Sequence, residues 1–172
     1  MGQIDFKDED DRGETKVLKA ANGCLNAINR IIECIGSQQK ITGKQEILSN
    51  IQQKVENMLF ISLGPDFKDT HEYIVTCIAY LASYSDQITS NLWQLFPNIV
   101  ELFLYTCEQS QAYYILDPLV VAISNFIQKG GEVFLSVKMQ NDKTPLENLF
   151  QLISDIFNFS KIKTENLAGY GF

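Results

Sequence analysis

The segment richest in chemistry is Asp10-Asp11-Arg12-Gly13-Glu14. An Asp-Asp-x-x-Asp/Glu pattern is how all-α isoprenoid synthases chelate magnesium and a diphosphate. That chemistry needs the carboxylates fixed on one helical turn, facing a second acidic cluster across a deep cavity. No second cluster follows, and Gly13 weakens a helix at this point. An acidic leader is the better reading, with the synthase kept as a remote alternative. His71 stands beside Glu72 and near Asp69, a trio that could move a proton. As the single histidine, in the first turn of a helix, it reads instead as a solvated or capping residue. Cys24, Cys34, Cys77 and Cys107 form no Cys-x-x-Cys pair, so the paired ligands of a zinc site are missing. Each lies among apolar residues, which predicts buried, reduced thiols of an intracellular protein. Gly169-Tyr170-Gly171 has neither the strand before it nor the helix after it that a nucleotide loop requires. These residues predict no catalysis, no metal and no cofactor.

The elements that would position them are all helical. Leu18, Ala21, Leu25, Ile28, Ile32 and Ile35 step by three or four residues and mark one helix, closed at Gly36. Ile47, Ile51, Val55 and Met58 or Leu59 mark a second, ended by Gly64-Pro65. A third runs to about Tyr84 through Ile74, Cys77, Ile78 and Leu81. The fourth spans about Thr89 to Cys107 with Pro97 inside it, where a missing N–H should bend it. The fifth opens at Asp117-Pro118 and closes at Gly130-Gly131. Residues 131–142 fit either a helical turn or an extended piece. Thr144-Pro145 is a cap with proline at the first helical position, followed by an apolar stripe from Leu146 to Phe157.

No period-two alternation appears, so the fold class is all-α. The helices fall into three antiparallel pairs over 17–63, 67–107 and 112–159, within a helical region 15–160. Pairs of about 40–47 residues are the period of HEAT-type, armadillo-like solenoids. A six-helix bundle is the alternative. Residues 1–14 form an acidic flexible leader in this reading, and 161–172 a C-terminal tail.

The 172 residues carry a net charge of -7 and a pI near 4.7, which argues against direct nucleic-acid binding. No apolar run approaches the length of a membrane span, and the acidic first residues do not resemble a signal peptide. Charge is unevenly placed: residues 65–126 hold seven acids and one base, Lys68. Such a stretch suits a binder of basic partners.

Two segments carry a family resemblance. Residues 22–32, from Asn22 to Ile32, are similar to a helix that follows an acidic linker in the importin seven/eight-like branch of the importin-β (karyopherin-β) superfamily. Residues 88–97, from Ile88 to Pro97, resemble that branch's helix built on a tryptophan-x-leucine-x-proline core, here Trp93, Leu95 and Pro97. Pro118, within 113–125, keeps the expected order. The resemblance covers roughly 15–130 and implies a fragment from the C-terminal third of a nuclear import receptor. Such a receptor carries basic cargo, ribosomal proteins and histones, through nuclear pores under control of Ran-GTP, shuttling between cytoplasm and nucleus. The main Ran contacts of the family lie in N-terminal repeats, outside this chain. Asp8, Glu9, Asp10, Asp11, Asp86, Glu101, Glu108 and Asp117 are the candidate cargo-contacting acids. Phe103, Tyr105, Tyr113 and Tyr114 read first as core packing, with an apolar slot for the phenylalanine-glycine repeats of pore proteins as the alternative, and Trp93 reads as core packing. A HEAT scaffold or regulatory subunit unrelated to transport is the alternative.

Overall fold

The computed structural model describes residues 7–108 and 113–169, and the side chains of 16–64, 66–107 and 114–158. The described residues contain helices and no strand, and the fold is all-α, of the HEAT-like helical-repeat kind. The helices are α1 (Lys7–Ser37), α2 (Lys44–Ser62), α3 (His71–Tyr84), α4 (Ser90–Trp93), α5 (Phe96–Glu108), α6 (Leu116–Ser136) and α7 (Pro145–Gly169). Two compact units form, Met1–Ser85 and Asp86–Phe172. Their boundary falls inside the middle predicted pair, 67–107.

In the first unit α1 lies along α3, and α2 packs on both. The core is aliphatic: Leu25 and Ile32 of α1 meet Leu48, Val55 and Leu59 of α2 and Ile74, Ile78 and Leu81 of α3, all buried. Helix α1 begins at Lys7 rather than near Thr15, so the backbone of the predicted leader is helical from that residue on. Gly36 does not end α1, which continues to Ser37. Instead it lets the Tyr84 ring approach the backbone, since a Cβ built there would overlap that ring.

His71 is buried rather than solvated, and its Nε2 lies 3.1 Å from the Gly64 carbonyl oxygen. A carbonyl can only accept, so Nε2 carries the proton and ties α3 back to the turn ending α2. The cysteines divide. Cys77 is buried among aliphatic side chains, and burial pushes its thiol up to about 12. Cys24 and Cys34 are exposed, contrary to the buried reading, because they sit off the face that α1 turns to α3.

In the second unit α5 packs against both α6 and α7. The single bent helix expected over Thr89–Cys107 is two helices. Thr89 caps α4, its side chain accepting from Leu92 N at 3.2 Å. The chain then turns through Gln94 and Leu95, and α5 restarts with Pro97 in its first turn. Proline has no N–H to donate to the preceding turn, so it stands where no donor is needed. Helix α6 likewise overruns its predicted end. At Gly131 the backbone takes φ 49°, ψ -129°, a region open to glycine, and the helix resumes beyond the kink as far as Ser136. Residues 137–144 form a loop, and this resolves the ambiguous stretch.

Thr144 begins α7 with a capping box. Its hydroxyl accepts from Glu147 N at 3.2 Å, and Glu147 Oε2 accepts from Thr144 N at 2.6 Å. Lys138 adds an ion pair to Glu147 at 3.1 Å. The Thr144 backbone hydrogen bond, with Lys138, holds the Glu147 carboxyl below its ordinary value of 4.5. A carboxyl depressed on folding contributes stability above its unfolded value and loses it as pH falls through the folded one. Separately, Thr144→Ala, which removes the hydroxyl cap on Glu147 N, should cost about 1 kcal/mol. The melting-temperature difference between wild type and Glu147→Gln should narrow once pH falls below 4.5. Thermal melts from pH 7 to pH 3 check both.

Candidate functional site

Trp93 organises the second unit. It is 4% exposed, with its ring 4.9 Å from Phe126 in an edge-to-face contact and 6.5 Å from Phe134. Phe96 closes the cluster, 5.4 Å from Phe126 and 5.9 Å from Phe134. The Gly131 kink lies between the two phenylalanines of α6 that meet Trp93. Leu95 is buried beside this cluster in sequence, while Pro97 and Pro118 are half-buried in the first turns of α5 and α6. Trp93 and Leu95 are thus core residues.

Beside α5 lies a groove of about 400 Å³. One wall comes from Gln94, Pro97, Asn98, Glu101 and Leu104, which recur at helical spacing along α5 and the turn before it. Asn148, Gln151, Leu152 and Asp155 recur in the same way along α7 and form the other. Gln140 and Asn141 of the connecting loop complete it, and Val100 contributes to its apolar floor. The loop is held by its own hydrogen bonds. Met139 N donates to Lys143 O at 2.9 Å, Asn141 Nδ2 to Asn148 Oδ1 at 2.6 Å, and Asn148 Nδ2 to Thr144 O at 2.9 Å. Asp155 accepts from Gln151 Nε2 at 2.9 Å. The side chains of Gln94, Asn98, Gln140 and Glu101 have no hydrogen-bonding or ionic partner among the described residues. Among the described residues, two carboxylates and six amides line the groove, and no cation does.

Of the three selected acids whose side chains are described, Asp86, Glu101 and Asp117, Glu101 alone lines this groove. Asp117 is exposed in the first turn of α6. Asp86 is exposed too, and its charge acts on Lys129, whose ammonium burial pushes below its ordinary value and Asp86 pulls back up. The side chains of Asp8, Glu9, Asp10, Asp11 and Glu108 lie outside the described residues, as does Tyr113. Phe103 is half-buried, Tyr105 and Tyr114 are exposed, and none of the three lines the groove. The amides and Asp155 escaped the sequence reading. Their signal was present in the spacing 94-98-101 and 148-151-155, two polar rows that only the packing of α5 on α7 brings together.

The described residues form a helical-repeat array with a polar groove beside α5. Among the described residues no group of three histidines, cysteines or acids could hold a metal ion. No protein-family profile matches the chain, and no solved structure does. A curated protein of Arabidopsis thaliana, described as an importin beta-like SAD2 homolog, is 25% identical over 164 residues. The alignment covers 95% of this chain and 15% of that protein's length. The similarity supports a relationship to the importin-β superfamily.

Proposed function

We propose that this chain is a HEAT-like part of an importin-β-type nuclear transport receptor of the importin seven/eight-like branch. In this reading it offers an acidic surface to basic protein cargo, such as ribosomal proteins or histones. The observation that carries the reading is the importin beta-like similarity along 95% of the chain. The charge imbalance over 65–126 and the two carboxylates of the groove agree with it. Ran-GTP would engage regions of the receptor outside this chain, and phenylalanine-glycine repeats of pore proteins are further partners. The receptor would shuttle between cytoplasm and nucleus.

The test is retention of the native protein from cell lysate on immobilised Ran, detected with an antibody raised to this chain. Retention by the GTP form and not the GDP form, in a band several times larger than 19.5 kDa, is the expected result. A large band that ignores both would favour a HEAT scaffold unrelated to transport. A band near 19.5 kDa would overturn the reading.

A further inference from the structure

We propose that the groove between α5 and α7 takes an extended segment of a basic protein. Its main chain lies along the amide side chains, and one lysine or arginine side chain reaches Glu101 and Asp155. The proposal rests on the reading that this chain binds basic proteins, and adds where the contact is made and what it recognises.

The chemistry of the lining selects the ligand. A carboxamide both donates and accepts, so a row of them matches the alternating N–H and C=O groups of an extended main chain. Gln94, Asn98 and Gln140 hold those groups uncommitted among the described residues. The Asn141–Asn148 pair fixes the far wall. Pro97, Val100, Leu104 and Leu152 give an apolar floor on which the methylene stem of a lysine or arginine can lie while its head reaches the carboxylates. No cation among the described lining residues neutralises Glu101 or Asp155. That same charge excludes a nucleic-acid backbone. Among the described residues no aromatic side chain lines the groove, so they offer no stacking platform of the kind sugars and bases use. A volume of about 400 Å³ lies within the ~300–1,000 Å³ of ligand pockets.

The experiment measures fluorescence anisotropy of labelled peptides with the 172-residue chain. One peptide is extended and lysine-rich, a second has each lysine acetylated, and a third is N-methylated at alternate amides. A histone is measured in parallel. Glu101→Gln/Asp155→Asn should weaken the lysine peptide about tenfold. Glu72→Gln/Glu132→Gln, which removes the same charge elsewhere, should change it less than about twofold. Gln94→Ala/Asn98→Ala should weaken it severalfold, and the acetylated and N-methylated peptides should bind more weakly than their parent. Circular dichroism confirms that each variant is folded. If histone and lysine peptide bind wild type and Glu101→Gln/Asp155→Asn alike, the basic-partner reading stands and this groove is not the site. If the N-methylated peptide binds as well as its parent, main-chain recognition is wrong. If neither peptide nor histone binds wild type, the basic-partner reading fails, and the groove proposal with it.

Discussion

Trp93→Ala should destabilise the second unit by about 3–5 kcal/mol, the cost of truncating a large aromatic in a packed core. The indole is 4% exposed and makes ring contacts with Phe96, Phe126 and Phe134. Its removal leaves a cavity between α4, α5 and both halves of α6, and forfeits edge-to-face contacts of about 0.5–1.5 kcal/mol each. Domains of this size have about 5–10 kcal/mol in hand, so the variant should be marginal at 37 °C. Trp93 is the single tryptophan, which makes wild-type fluorescence a reporter on this unit. For the variant, hydrogen exchange of the α5 and α6 amides replaces it, because two units need not melt in one transition. Trp93→Phe, which keeps an aromatic ring in the cluster, should cost less than half as much. A loss below about 1 kcal/mol for Trp93→Ala would show that the ring cluster is not the centre of the core.

How far the sequence foretold this is clearest in α1 and α5. Stepping by three or four residues located α1 and placed Leu25 and Ile32 in its buried stripe, yet the same stripe ran through Ala21, which is exposed, and Ile28 and Ile35, which are half-buried. The residues that face α3 are Leu25, Asn29, Ile32 and Gly36, all buried. A hydrophobic count passes over Asn29 and Gly36, because neither is apolar bulk. Asn29 earns its buried place by donating Nδ2 to the Tyr73 carbonyl at 2.9 Å, and Gly36 by lacking a Cβ. Pro97 was legible as a break in helical hydrogen bonding. Whether a helix bends or restarts there depends on Thr89, Gln94 and Leu95 closing the turn before it. The groove was the least legible. Amides carry no periodic hydrophobic signal, and its two walls are some 50 residues apart in sequence, joined only by the docking of α5 on α7. Glu101 was found through charge, and the rest of the site required the fold.

Gly36→Ala separates helix propensity from packing. At an ordinary interior helical position, alanine in place of glycine stabilises by about 1 kcal/mol. Here the added methyl would overlap Tyr84 at Cγ, the root of its ring rather than a flexible tip, so the ring must move bodily. It stands where three elements meet. Lys44 Nζ donates to the Gly36 carbonyl at 2.6 Å, Gln45 Nε2 donates to the Tyr84 carbonyl at 3.2 Å, and Tyr80 lies 5.9 Å away, ring to ring. Shifting Tyr84 therefore disturbs the α2 start and the α3 end together. The overlap should outweigh the propensity gain and leave Gly36→Ala net destabilising by about 1–3 kcal/mol. In a Tyr84→Ala background the obstacle is gone, and the same substitution should become neutral or stabilising by up to about 1 kcal/mol. Urea denaturation of the four proteins closes the cycle, and the sign reversal is the diagnostic result. If Gly36→Ala stabilises the wild-type background as well, the close approach of α3 to α1 at Gly36 is wrong. Gly36 would then be no more than a weak point in the helix.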